Sequence, residues 1–179
     1  FNGESIDNGN YRPRQLTQLI GFETWSRPSE SGGSWRAFVE YAGTACGDIG
    51  FGEDETNFGC AYENGIFTDG YRYRGRVIGH AADRDARVYT LGGLYADAAG
   101  RTWEFRLRGG ELNRGAVGVA LPSHTITPVA ADLWNAEARL TGTVAKLRYS
   151  LGVGIDRLEP VGEDSDVNAR AFLSISAPW

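Results

Sequence analysis

The stretch "TWEFRLRGG", Thr102–Gly110, carries the pattern that decides the fold. Apolar and charged residues alternate along it, with Trp103, Phe105 and Leu107 set against Glu104, Arg106 and Arg108. Successive side chains of a β-strand point to opposite faces, so this alternation predicts a strand with one apolar and one charged face.

The same period of two recurs along the chain. The clearest further strands are "WRAFVEYAGTA" (35–45), "LWNAEARL" (133–140), "LRYSLGVGID" (147–156) and "VNARAFLSISAPW" (167–179). Two segments with weaker alternation, 16–26 and 87–96, are expected to be strands as well. The sequence therefore predicts an all-β protein built from antiparallel strands.

The composition of the charged faces bears on the choice between a soluble β-sandwich and a membrane β-barrel. A sandwich turns its polar face to water, whereas a barrel turns it to a lumen in which Arg, Glu, Asn and Ser side chains interlock. Of the 18 lysine and arginine residues, only Lys146 is a lysine. Faces rich in arginine and glutamate but almost free of lysine favour the barrel.

The overall charge excludes one class of partner. The chain has 18 basic and 23 acidic residues, a net charge of -5, so it lacks the basic signature of a nucleic-acid-binding protein. It also lacks a run of about 18 apolar residues, so no transmembrane helix is predicted.

The lengths of the connections favour the barrel further. Short connections at 27–34, 97–101 and 142–145 alternate with longer ones at 46–86, 110–130 and 157–166. Outer-membrane barrels have short periplasmic turns and long extracellular loops. Tryptophans support this orientation, because Trp25, Trp35, Trp103 and Trp179 all fall at the short-turn end, where aromatic rings would mark a membrane interface.

Seven strands are too few and odd in number for a complete bacterial barrel. The chain also contains no methionine and begins at Phe1. We therefore expect residues 1–179 to be the C-terminal portion of a single, larger outer-membrane β-barrel domain.

The stretch "DGYRYRGRVIGHAADRDARVYTLGG" (69–93) resembles the capsule assembly protein Wzi family, and "WEFRLRGGELNRG" (103–115) is similar to the next strand and loop of that family. The resemblance implies a non-enzymatic, lectin-like barrel in the bacterial outer membrane that binds capsular polysaccharide and helps to attach the capsule. It implies no cofactor. The expected partners are the polysaccharide, which an arginine-rich loop suits if it is anionic, and outer-membrane lipid. A terminal strand that ends in an aromatic residue also resembles the signal read by the barrel-assembly machinery.

The long loop at 46–86 concentrates residue types that bind sugars. Aromatic rings pack on sugar C–H groups, Asp and Arg bind hydroxyls, and Arg pairs with the carboxylates of uronic acids. The candidate binding residues are Tyr71, Arg72, Tyr73, Arg74, Arg76, His80, Asp83 and Asp85. The alternative is that they form internal salt bridges that hold the loop inside the barrel.

The two cysteines flank an acidic, glycine-rich segment. Cys46 and Cys60 would form a disulfide across it in an oxidising compartment, or they are two unrelated thiols. No histidine lies near them, so a metal site is not expected.

Two other functions remain open at this point. The chain could belong to a passive channel for anionic solutes, with an arginine-lined lumen, or to a soluble β-sandwich that binds carbohydrate. Catalysis is not expected, because no nucleophile motif is present and His80 and His124 are the two histidines.

Overall fold

The computed structural model describes residues 16–27, 32–47, 58–59, 61–62, 72–74, 76–116 and 124–177. A 3-10 helix covers Arg114–Ala116. The strands are β1 Leu16–Trp25, β2 Ser34–Gly47, β3 Arg72–Tyr73, β4 Arg76–Val77, β5 Arg87–Ala96, β6 Thr102–Leu112, β7 Ala131–Val144, β8 Leu147–Pro160 and β9 Asp166–Ser176. None of the described helical residues forms a helix long and apolar enough to cross a membrane.

The long strands form one antiparallel sheet of seven strands, in the order β1-β2-β5-β6-β7-β8-β9. Each of these strands pairs with the next long strand along the chain, and β3 and β4 form a separate small hairpin. The predicted antiparallel strands are confirmed. Among the described residues, the other sheet is the two-stranded pair β3–β4.

Two strands are longer than the sequence pattern indicated. β7 and β8 meet at a tight turn made by Ala145 and Lys146, with φ of 47° and 69°, which is the left-handed geometry of a two-residue hairpin. β8 continues to Pro160, so the connection that we placed at 157–166 covers only 161–165. We call the end of the sheet with the connections at 26–33, 97–101 and 145–146 the turn end, and the opposite end the loop end.

One surface of the sheet, the apolar face, carries Trp103, Phe105 and Leu107 and the residues in register with them. The register places Leu91 and Ala136 on either side of Leu107, in a row that continues through apolar residues of the other strands. Side chains on this face are extensively exposed. A continuous exposed apolar surface of this extent is typical of a surface that contacts lipid or another protein.

Aromatic residues border the apolar face at both ends. At the turn end, Trp35, Tyr95 and Trp103 are neighbours in register. At the loop end, Tyr41 and Tyr89 pair across strands with their ring centroids 5.1 Å apart. The two rows lie about 20 Å apart along β5, at ~3.4 Å per residue.

Trp25 does not join the turn-end row. The opposite surface of the sheet, which we call the polar face, carries Glu104, Arg106 and Arg108. Trp25 lies on this polar face, because its register partner is Arg36, which lies in the same row as Glu104. The tryptophan pattern therefore identified the turn end, but one of its members lies on the other face. Trp179 is outside the described residues.

A small core forms where the loop end meets the polar face. Ala82 and Ala86, from the segment before β5, pack with Val88 and Leu112 of the sheet, and Leu133 and Leu158 border this cluster. The described loop residues therefore fold over the polar face instead of projecting away from the sheet.

Candidate functional site

The centre of the loop-end region is an ion pair between Arg72 and Asp83. The two terminal guanidinium nitrogens of Arg72, Nη1 and Nη2, donate to the two carboxylate oxygens of Asp83 at 2.8 and 2.9 Å, a bidentate geometry. The side chains are only 8% and 0% exposed. Two of the predicted binding residues are thus brought together, but they contact each other inside the protein.

Asp83 also connects separate segments of the chain. Its carboxylate accepts hydrogen bonds from the amide of Thr125 at 2.7 Å, from the Thr125 hydroxyl and from the amide of Arg84 at 2.8 Å. Burial by itself raises the pKa of Asp83, but hydrogen bonds from Arg72, Thr125 and Arg84 outweigh it, and the pKa lies well below its usual range. The charged carboxylate fastens the 124–130 segment to the segment before β5.

Asp85 has a similar structural role. Its carboxylate oxygens accept from the amide of Gly59 at 2.8 and 3.0 Å, and its backbone carbonyl accepts from the amide of Arg114 at 3.0 Å. The side chain is fully buried. Asp83 and Asp85 have φ of 62° and 56°, a left-handed conformation that aspartate tolerates better than most residues.

The two histidines bind backbone groups within the loops. The Nδ1 atom of His80 accepts from the amide of Ala82 at 3.2 Å, while its Nε2 atom lies 4.0 Å from a carboxylate oxygen of Glu40 on the polar face. The Nδ1 atom of His124 accepts from the amides of Ile126 and Thr127 at 3.2 and 3.3 Å, and burial lowers the pKa of His124.

The remaining candidates are exposed to solvent. Tyr73 is 64% exposed and lies opposite Arg76 in the β3–β4 hairpin. The Arg74 guanidinium lies 5.3 Å from the centre of the Tyr73 ring. Tyr73, Arg74 and Arg76, which we call the hairpin cluster, therefore present an aromatic face and two cations to the surroundings.

Some predictions fall outside what the structure describes. Tyr71, Cys60 and the side chain of Cys46 lie outside the described residues, so the disulfide stays a prediction. The described residues contain no group of histidine, cysteine and carboxylate side chains suited to bind a metal ion.

A second candidate site lies on the polar face, nearer the turn end, in a concave groove of about 450 Å³. Glu104 lies opposite Arg139, and in the next row Arg106 lies opposite Glu137, so the charges alternate in both directions. The side chains that we use below to define this polar groove are Phe38, Glu104, Arg106, Glu137, Arg139 and Phe172.

The sequence pattern placed the charged members of the polar groove on a lumen-facing surface but did not identify a site there. Phe38 and Phe172 interrupt the polar alternation of β2 and β9. These two phenylalanines are the sequence feature that could have indicated a site on the polar face. Its meaning depends on the register, which sets Phe38 opposite Gly92 and Phe172 opposite Gly152.

Comparison with known proteins agrees with this architecture. A family model described as capsule assembly protein Wzi matches residues 7–170. The structure is similar to that of Wzi of Escherichia coli, an outer-membrane protein involved in group 1 capsule assembly and a carbohydrate-binding β-barrel. The TM-score is 0.73 at 18% identity, over 97% of this chain and 36% of that one. No curated protein sequence gave a significant match. The sheet thus has the fold of part of a β-barrel.

Proposed function

Since the chain belongs to the capsule assembly protein Wzi family, we propose that it is part of an outer-membrane β-barrel that binds capsular polysaccharide and helps to attach or assemble the capsule at the cell surface. The role is binding, without catalysis. The family match carries this proposal, and the two faces of the sheet support it. The chain spans 36% of the similar barrel, so the function belongs to a longer protein.

The apolar face supports a position in the membrane. Apolar rows on this face lie between the two aromatic rows that include Trp103 and Tyr89. Barrels place their apolar residues against lipid and aromatic girdles at the two interfaces. The proposed partner of this face is outer-membrane lipid, with the turn end in the periplasm and the loop end outside the cell.

The edges of the sheet support a larger barrel. Among the described strands, β1 and β9 each have one neighbour, so one edge of each is free to pair with further strands. We propose that residues 1–179 supply the C-terminal portion of the closed barrel, and that β9 presents the signal for the barrel-assembly machinery.

The hairpin cluster is the proposed contact with capsular polysaccharide at the cell surface. The exposed face of Tyr73 suits the C–H surface of a sugar ring, and Arg74 and Arg76 suit hydroxyl or carboxylate groups. Arg72 differs from them, because its guanidinium is already occupied by Asp83. An anionic polymer fits this cluster best.

The test compares capsule retention by the full-length protein and by two double variants. Arg74→Ala/Arg76→Ala should lower the amount of surface-bound capsule. Arg27→Ala/Arg148→Ala removes the same charge from exposed positions at the turn end and is the matched control. Equal retention by both variants would remove the hairpin cluster from the proposal. Unchanged retention after deletion of the whole gene would refute the function itself.

A passive channel for anionic solutes is the second candidate, because arginines line the polar face. Carboxylates lie close to several of them, as Glu104 does to Arg139, and this reduces the local positive charge. The core around Ala82 also packs against the loop end of this face. Ion conductance by the full-length protein in a planar bilayer would support the channel, and capsule loss on deletion without conductance would support capsule binding.

A further inference from the structure

Two aromatic rings stand at opposite sides of the polar groove. A Cβ atom added at Gly92 would lie 2.3 Å from the Phe38 ring, and one added at Gly152 would lie 2.1 Å from the Phe172 ring. Each ring therefore lies flat against the backbone of the neighbouring strand, in space that a side chain would fill. Phe172 keeps 44% of its surface exposed. Both rings present apolar surface on a largely polar face, and the Arg139 guanidinium lies 5.3 Å from the centre of the Phe172 ring.

The spacing of the rings matches an extended ligand. Gly92 is in β5 and Gly152 is in β8, and these strands are separated by β6 and β7. Three strand spacings of ~4.8 Å separate the two glycines across the sheet, and Gly152 lies two residues along β8 from the row of Gly92, so the rings are roughly 16 Å apart. A short oligosaccharide would reach from one ring to the other.

The side chains between the rings keep much of their hydrogen-bonding capacity. Arg106 and Glu137 approach to 3.6 Å, and Arg139 and Glu104 to 3.9 Å, which are too long for hydrogen bonds. Glu137 accepts one hydrogen bond, from Arg170, through its other oxygen. A guanidinium has five N–H donors and a carboxylate has two acceptor oxygens. Sugar hydroxyls both donate and accept, so a row of alternating Arg and Glu residues matches them on both counts.

The charge of the groove favours a neutral ligand. The residues that line the groove include four arginines, Arg36, Arg106, Arg139 and Arg170, and two glutamates, Glu104 and Glu137. The charge of Arg36 is matched by Glu23. Arg170, at the border of the groove, contacts Glu137 and lies 2.7 Å from Asp156. No surplus positive charge remains for a carboxylate ligand, in contrast to the hairpin cluster.

We propose that the polar groove is a second carbohydrate site, in which a neutral oligosaccharide stacks on Phe38 and Phe172 and its hydroxyls bind Arg106, Arg139, Glu104 and Glu137. This proposal rests on the proposed function and adds a ligand class and a place to it.

The test measures binding of cellotriose, a neutral probe, and of trigalacturonic acid, an acidic one, to the full-length protein refolded in detergent. Isothermal calorimetry should detect cellotriose and a weaker or absent signal for trigalacturonic acid. Phe38→Ala and Phe172→Ala should each lower the affinity for cellotriose about three- to tenfold, the range expected for one aromatic contact. Phe172→Tyr keeps the ring and should retain binding.

The chain offers a matched control on the other surface. Phe22 is an exposed phenylalanine of the apolar face, opposite Val39, and does not line the polar groove. Phe22→Ala should leave the affinity for cellotriose unchanged, and heat-modified migration on gels checks that every variant is folded.

Three results would overturn the polar groove as a site: no binding of cellotriose, equal affinity in Phe172→Ala and wild type, or tighter binding of the acidic probe. Any of them leaves the proposed function standing if the full-length protein still retains capsule. If deletion of the gene lowers capsule retention but the phenylalanine variants bind cellotriose like the wild type, the proposed function stands and the polar groove is not a site.

Discussion

Replacing Asp83 with asparagine should release the described loops from the polar face and leave the large sheet intact. The Asp83 carboxylate accepts from Arg72, from both the amide and the hydroxyl of Thr125, and from the amide of Arg84. Asparagine has nearly the same shape, but its NH₂ group donates where the second carboxylate oxygen accepts. One set of donors then loses its acceptor, and the buried Arg72 loses the negative charge of Asp83.

The magnitude follows from the burial of this pair. Breaking a buried ion pair by removing one partner costs about 3–5 kcal/mol. Arg72 and Asp83 are buried to the extent that this range requires, with side-chain exposures of 8% and 0%. At about 1.4 kcal/mol per factor of ten, the local opening equilibrium should rise roughly a hundred- to four-thousand-fold.

Amide hydrogen exchange measures this opening at the atoms involved. In the full-length barrel at neutral pH, the amides of Thr125 and Arg84 should lose protection by that factor, because both donate to Asp83. Amides of the β6–β7 ladder are the internal control and should exchange at the wild-type rate. The double variant Arg72→Met/Asp83→Asn removes both charges and should recover part of the loss.

Unchanged protection at Thr125 in Asp83→Asn would refute the reasoning, since the carboxylate would then contribute nothing to the loop. Acid gives a second test. The pKa of Asp83 is lower in the folded protein than its unfolded value of about 3.9, so its contribution is complete above that pH and is lost as the pH falls below it. The Asp83→Asn variant should lack this acid-dependent loss.

Three further outcomes are expected. Burial lowers the pKa of His124 below its usual value of about 6.5, so the contribution of His124 to loop protection should be complete above that pH and fall as the pH drops below it. In His124→Asn, the Oδ1 atom can still accept from the amides of Ile126 and Thr127, and this pH dependence should vanish in amide exchange measurements. Gly110→Ala should prevent assembly of a heat-modifiable barrel, because the new Cβ would lie 2.1 Å from a carbonyl oxygen of β5, whereas Gly21→Ala, with its nearest atom at 3.4 Å, should assemble. Leu107→Arg on the apolar face should destabilise the barrel by about 2–4 kcal/mol in urea titrations with lipid vesicles, and Ser174→Arg on the polar face should cost far less.

The sequence anticipated the sheet better than the site. In the loop, Arg72, Arg74 and Arg76 are equivalent by their spacing and neighbours, and we predicted the same role for all three. The structure separates them, because Arg72 meets Asp83 in the interior while Arg74 and Arg76 stay exposed. Which arginine is buried depends on contacts such as that between Asp83 and Thr125, which are 42 residues apart in the chain.

Alternation is a property of neighbouring residues, so the sequence by itself determined the strands, the two faces and the residue types on each, as in Thr102–Gly110. Family membership was also readable from local motifs. Only the tertiary structure decided which residues meet across strands and loops. The polar groove exists because the register sets Phe172 over Gly152 and Glu104 beside Arg139. A shift of one residue between strands would move every one of these side chains to the other face without changing the sequence pattern of either strand.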